Sequence, residues 1–389
     1  MLILDISVCF LVFFLGFNLK YLFDGFTKRD KKILTQLFFW HLAITIAFHI
    51  YATQYGTDGI MYWFDPKKMQ FKDVFARVTE GSATGVMYLI NYFPSNILKL
   101  SFFTGNFIYG FLGYAGFVFL YKIFVEVFQG TEKLMTIKIL RFKVFPLILF
   151  LSNFHFWSAG ISKDALLFLG IMMFFYSIRK PKKRFVLFLI SICISLAIRP
   201  HILLFLLVAY GLASLIDGKL KMYQKLLIAS VFIIGFISIF SYVLQFIKLE
   251  NLEFSSIEQY TSRKSSLLAR GDVDSAVDTS NYPLPLKIFT FLYRPFFFDA
   301  QGVLGILASI ENLILIIFTS VLFINKPIKG LLKTSYHIKA MFIYFFIGTL
   351  AFSLILGNLG IMLRQKNMLI PLFLIVGFQI LINNKRIWA

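Results

Sequence analysis

The sequence predicts an all-α, polytopic membrane protein with about eleven transmembrane helices. Three observations carry that prediction. Of 389 residues, 59% are hydrophobic and 15% charged, and mean hydropathy is +0.79, far above the values of a water-soluble globular domain. Apolar runs of about 17 to 25 residues recur along the whole chain, each long enough to cross a roughly 30 Å hydrocarbon core as a helix. The basic residues are distributed very unevenly between alternate connections. Helices satisfy their own backbone hydrogen bonds in hydrocarbon, and the alternating ten-residue pattern of an outer-membrane barrel does not occur.

Taken in order, the expected spans are Ile6 to Leu22, Ile33 to Ala52, Gly105 to Phe128, Phe142 to Trp157, Ala165 to Ile178, Phe185 to Ile198, Ile202 to Ile216, Leu226 to Ile247, Val303 to Ile324, Met341 to Leu356 and Met368 to Ile382. The first lacks a basic stretch ahead of it and a small-residue cleavage site after it, so it reads as a retained helix. All 389 residues form one integral-membrane domain in this reading. If the spans alternate, one set of connections carries 24 basic and 5 acidic residues, and the other carries 15 basic and 14 acidic. Nearly the whole formal charge of +20 is therefore a positive-inside signature, which places the N terminus outside and the C terminus in the cytoplasm. That distribution excludes nucleic acid as the partner the charge would otherwise suggest.

Two outer-face loops are too long to be connectors alone. Residues 53–104 hold YGTDGIMYWFDPKK and an amphipathic stretch, GVMYLINYFPSNILKLSFF, expected to form an interfacial or re-entrant helix broken at Pro94. Residues 248–302 are more polar and return through LKIFTFLYRPFFFDAQG, with aromatic anchors at Tyr293 to Phe298.

The outer helix ends collect Asp58, Lys163, Asp164, Arg199, His201, Arg294, Asp299, Glu311 and Arg364. Any one such charge can snorkel to the headgroups, but five separate regions contribute here. Arg199 sits in a tight turn before Pro200, and Glu311 lies about two turns inside an apolar span, where a carboxylate needs a cation. Arginines and a lysine converging on one cavity suit a diphosphate or carboxylate, because guanidinium groups bind such oxygens through paired hydrogen bonds. Asp58, Asp164 or His201 is a candidate to orient or deprotonate a hydroxyl nucleophile, with Asp299 and Glu311 supporting the site. The five histidines lack metal-ligand spacing, and the two cysteines, Cys9 and Cys193, both lie in apolar runs, so neither a metal nor another cofactor is expected. His41 and His49 are expected to pack within or near their helix. Gly105, Gly110, Gly113 and Gly116 form a small-residue face, which close helix packing explains.

The order YGTDGIMYW, FWSAGISKDAL, AIRPH, YRPFFFDAQGVLGILASIEN and GNLGIMLRQKNMLIPL resembles the integral-membrane proteins of bacterial exopolysaccharide, capsule and O-antigen clusters. These are O-antigen polymerases and related membrane glycosyltransferases of the C superfamily. The resemblance implies an inner-membrane protein acting on undecaprenyl-diphosphate-linked glycans at the periplasmic face, alongside membrane lipids and other polysaccharide-assembly proteins. In such polymerases outer-face arginines hold the lipid diphosphate, and Arg199, Arg294 and Arg364 match that role, with Lys163 assisting. Many C-superfamily enzymes place a catalytic aspartate directly after the first helix, whereas Asp58 follows the second. The expected activity is a polymerase-like glycosyltransferase. A polyprenyl-phosphate-dependent transferase adding one sugar, and a carrier that breaks no bond, are the alternatives.

Overall fold

A computed structural model describes residues 2–216, 220–247, 276–279 and 281–384. The described residues are mostly helical, 78% of them, with almost no strand. It packs as two compact units, Met1–Met135 with Phe145–Arg199, and Thr136–Val144 with Pro200–Ala389.

The first unit begins with α1 (Leu2–Asn18) and α2 (Lys28–Tyr55). Thr27 starts α2 through a capping box, accepting from the Asp30 amide at 3.2 Å while its own amide donates to the Asp30 carboxylate at 2.9 Å. Three short helices follow, α3 (Asp58–Phe64), α4 (Phe71–Thr79) and α5 (Ala83–Tyr92), and α3 passes through a helical Asp65 into a 3-10 turn at Pro66–Lys68. The amphipathic stretch is α5 running into a single π-helical turn at Phe93–Ile97, with Pro94 inside it.

Then comes α6 (Phe102–Phe128), capped by Ser101 and ended by a left-handed Gln129. Its four glycines pack as their spacing implies. A Cβ at Gly105 would lie 2.7 Å from the Trp63 ring and one at Gly116 2.6 Å from the Phe168 ring, while Gly110 faces Thr45 and Gly113 faces the Ser158 carbonyl. After α7 (Glu132–Met135) and α8 (Ser152–Phe156), the unit closes with the hairpin α9 (Lys163–Ser177) and α10 (Phe185–Ile198). Every residue of α9 after Lys163 is buried, chiefly against α6 and α10.

The second unit contains a two-residue hairpin, β1 (Lys138–Ile139) with β2 (Phe142–Lys143), in which Lys138 faces Lys143. Its helices are α11 (Pro200–Ile216), α12 (Met222–Ile247), α13 (Leu284–Tyr293), α14 (Gly302–Ile324), α15 (Pro327–Leu332), α16 (Tyr336–Ile355), α17 (Leu359–Lys366) and α18 (Ile370–Asn383). Here α11 packs on α12 and α16, and α13 on α14, α16 and α17. The last two helices are bent by 56° at the break between them.

The expected eleven spans are not reproduced. Among the described residues six helices are long and apolar enough to cross a membrane, Leu2–Leu22, Lys28–Tyr55, Phe102–Phe128, Met222–Phe240, Gly302–Ile324 and Tyr336–Ile355, or seven if the bent α17–α18 pair is one span. Residues 142–157 are the clearest departure: β2, a 3-10 turn at Leu147–Phe150 and α8 replace the expected helix. Pro146 has no amide hydrogen to donate and its ring obstructs the preceding turn, so no α-helix runs through it. The helices α9, α10 and α11 have 15, 14 and 17 residues. At about 1.5 Å per residue they fall short of a roughly 30 Å core.

Candidate functional site

In the first unit the site is built at one end of the α9–α10 hairpin. Serine at position 162 suits an N-cap, and its hydroxyl accepts from the Ala165 amide at 3.1 Å to start α9. The segment leading into that cap is itself held. Asn106, buried on α6, accepts from the Ile161 amide at 3.0 Å through Oδ1, and its Nδ2 donates to His49 Nδ1 at 3.1 Å. Ser158 donates to the His155 carbonyl at 3.0 Å. His41, buried on α2, meets His155 through their Nδ1 atoms at 2.8 Å, and with His49 on Asn106 both histidines of α2 are packed against neighbouring elements.

From this fixed start, Asp164 projects from the first turn of α9 and meets Arg199, the residue that ends α10, with Nη2 3.2 Å from Oδ1. Arg199 has left the helical conformation, at φ −149° and ψ 87°, as suits the residue before Pro200, for which the helical region is disfavoured, while its amide still donates to the Ser195 carbonyl at 2.9 Å. The Asp164 side chain is only 4% exposed and that of Arg199 15%, so the pair is largely withdrawn from water. Lys163 donates to Thr84 Oγ1 at 3.2 Å, with its ammonium 5.3 Å from the Tyr62 ring centre. Gly59 packs directly against Ile161, where a Cβ would meet the Ile161 carbonyl, so α3 is held beside the start of α9. Asp58, first residue of α3, is exposed there. Asp58, Lys163, Asp164 and Arg199 thus border one region of the first unit.

The far end of the same hairpin is also charged but differently arranged. Glu126, near the end of α6, receives both guanidinium nitrogens of Arg184, with Nη1 at 3.1 Å, while Arg179 and Lys180 lie 3.7 and 3.8 Å away. Arg184 also donates to the Tyr176 carbonyl at 2.6 Å and stacks 3.6 Å above the Tyr176 ring. The basic run is therefore tied down at the end of α9–α10 opposite Asp164.

His201, Arg294, Asp299, Glu311 and Arg364 belong to the second unit. Arg294 follows α13 and grips Asp299 with two prongs, Nε to Oδ2 at 3.0 Å and Nη2 to Oδ1 at 2.6 Å, and the Phe296 amide donates to Oδ2 at 3.0 Å. Burial acts against the Asp299 carboxylate, but the hydrogen bonds from Arg294 and Phe296 outweigh it and hold its pKa below the ordinary value. Hydrogen bonding to Asp299 in turn raises the pKa of Arg294. Arg364 sits in the last turn of α17, half-buried. The His201 ring lies edge-on to Phe205 and Phe352, at 6.0 and 6.3 Å.

Sequence reasoning passed over Lys366 and Asn312. Lys366, 2% exposed, donates to the Leu292 carbonyl at 3.2 Å and to Asn312 Oδ1, and Asn312 Nδ2 donates to the Pro295 carbonyl at 2.8 Å. Glu311, 7% exposed, is near enough for its charge to act on Lys366. The sequence signal was a second cation two residues after Arg364 within an apolar motif. Residues 248–275, the first half of the long polar outer-face loop, lie outside the described residues.

Among the described residues no three His, Cys, Asp or Glu side chains gather as a metal site. Chemically, the first-unit region pairs fixed cations with an exposed carboxylate, which suits an anionic ligand and a proton transfer. No family model, no curated protein and no solved structure matches this chain.

Proposed function

We propose that this chain is a polysaccharide polymerase-like glycosyltransferase of the bacterial plasma membrane. It joins polyprenyl-diphosphate-linked glycan repeats at the outer face, with its N terminus outside and its C terminus in the cytoplasm. The observation that carries the proposal is the meeting of Asp164 and Arg199, with Lys163 next to Asp164 in the chain, at one end of a hairpin of apolar helices whose other end is the basic turn of residues 179–184. Support for the orientation comes from the positive-inside charge bias, which puts that basic turn in the cytoplasm and the Arg199 end outside.

In this reading Arg199 and Lys163 bind the oxygens of the donor diphosphate, and Asp164 fixes the direction of the Arg199 guanidinium. The acceptor hydroxyl oxygen attacks the anomeric carbon of the donor sugar, and a new C–O bond forms as the bond from that carbon to the diphosphate oxygen breaks. The electron pair leaves on the diphosphate, where the cations stabilise it, and the hydroxyl proton passes to Asp58. Arg294 and Arg364, in the second unit, are proposed for the same class of ligand, and each is tested separately.

The test is conversion of lipid-linked repeats by the purified, reconstituted protein. A ladder of products is expected from wild type, with at least tenfold less from Arg199→Ala and little recovery in Arg199→Lys, because an ammonium cannot reproduce paired guanidinium recognition. A single added sugar would favour the one-sugar transferase. Transport of intact lipid-linked sugar without cleavage would replace the enzyme reading altogether.

A further inference from the structure

We infer that Lys366 is a positioning residue that sets the two second-unit arginines, Arg294 and Arg364, as one anion-binding element. This inference rests on the proposed role of those arginines in holding a phosphorylated ligand. The geometry is specific. Arg294 lies between Leu292 and Pro295, and both of those carbonyls are captured, Leu292 by the Lys366 ammonium at 3.2 Å and Pro295 by Asn312 at 2.8 Å. Lys366 also donates to Asn312 Oδ1, so lysine and amide form one continuous bracket across the turn. On the far side of that turn the Asp299 carboxylate takes Nε and Nη2 of Arg294. The Nη1 side of the guanidinium therefore points away from that carboxylate.

Lys366 reaches this bracket from α17, the helix that carries Arg364 two residues earlier, and α17 packs on α13, which ends at Arg294. One ammonium thus links the backbone on which Arg294 is mounted to the helix on which Arg364 is mounted. A hydrophobic side chain of similar length would fill the space without capturing either carbonyl. Keeping a cation buried at 2% exposure, with Glu311 close by, costs desolvation that packing alone does not require.

Binding of inorganic diphosphate to the full chain in nanodiscs tests this, with Arg294→Ala, Arg364→Ala, Lys366→Met, Lys366→Arg and the double variant Arg294→Ala/Lys366→Met. Lys366→Met/Glu311→Gln keeps the charge balance should Lys366→Met alone fail to fold. The expected result is about tenfold weaker binding for Arg294→Ala and for Lys366→Met at an unchanged thermal midpoint. Lys366→Arg should retain affinity within about threefold, and the double variant should bind no more weakly than Arg294→Ala alone, the non-additivity of groups that act through one another. Wild-type affinity in Lys366→Met, or losses that multiply in the double variant, would overturn the inference.

Should wild type not bind diphosphate at all, the ligand assignment of Arg294 and Arg364 falls, and amide exchange decides the positioning claim. Lys366→Met must then speed exchange of the Phe296 amide at least tenfold while leaving the Ala165 amide unchanged. Equal exchange at Phe296 would remove the positioning role.

Discussion

Two arginine–aspartate pairs lie in different units and are held in different ways. Arg199 and Asp164 come from the ends of two helices, with Nη2 3.2 Å from Oδ1 and both side chains largely buried. Arg294 and Asp299 share one turn and meet through two prongs at 3.0 and 2.6 Å, with a backbone amide completing the carboxylate's shell. The first pair is a cross-link whose geometry depends on where α9 starts and where α10 stops. The second is a local clasp that its own five-residue turn makes possible. A cross-link registers any shift between the two elements it joins, so Arg199 can be aimed by packing elsewhere in its unit, whereas Arg294 is clasped within a turn whose backbone Lys366 and Asn312 hold.

The comparison breaks most sharply on removal of the two carboxylates. Asp164→Ala removes the carboxylate that faces the Arg199 guanidinium in a largely buried setting and is expected to cost about 3–5 kcal/mol. Asp299→Ala leaves Arg294, whose side chain is nearly as buried as that of Arg199, on a turn outside any helix that can open to water, and is expected to cost about 1–2 kcal/mol. Thermal unfolding of both variants in detergent reads the difference, and equal losses would mean that the two pairs are energetically alike.

A smaller effect comes from the packing that supports the cross-link. A Cβ at Gly113 would collide with the Ser158 carbonyl, on the segment just ahead of the Ser162 cap, while one at Gly302 would meet nothing within 4 Å. Gly113→Ala should therefore cost about 1–3 kcal/mol by overpacking. It should also lower product formation, because the start of α9 moves. Normal turnover in a folded Gly113→Ala protein would separate α6 packing from the placement of Asp164.

The smallest effect is on pH. Asp299 has a pKa below its ordinary value in the folded protein, so the clasp contributes stability above the unfolded-state pKa of about 3.9 and loses it as pH falls through the lower folded-state value. Asp299→Asn should flatten that acid limb of the melting curve by lowering stability at neutral pH, where the wild-type clasp contributes in full, and leave the acid end little changed. An unchanged acid limb would assign the sensitivity to another carboxylate.

Much of this arrangement was legible beforehand. Ser162, Asp164 and Arg199 stand where apolar runs stop, so a reading of helix ends alone brings them to one side. The glycines of α6 recur on one face, and each meets a bulky or backbone neighbour as that spacing implies. Residues 142–157 misled for a physical reason: ILFLSNFHFW is apolar enough to resemble a span, and hydropathy is blind to the missing donor at Pro146. Glu311 could be recognised as needing a cation, with arginine the natural candidate, yet the role of Lys366 depends on the bend between α17 and α18, a tertiary feature without a local signature. That Arg294 grips Asp299 was equally hidden, since both could be listed as outer charges but not as a closed turn.

The complete burial of α9 bears on how the protein is made. A fifteen-residue helix rises about 22 Å, and by itself it offers a translocating machine a short stretch that opens with two charged residues, Lys163 and Asp164. Its favourable surroundings exist only once α6 and α10 are both beside it. Partition of α9 is thus a collective event, delayed until α10 has emerged. Slowing synthesis between residues 178 and 198 should prolong the interval in which Asp164 has no arginine to meet.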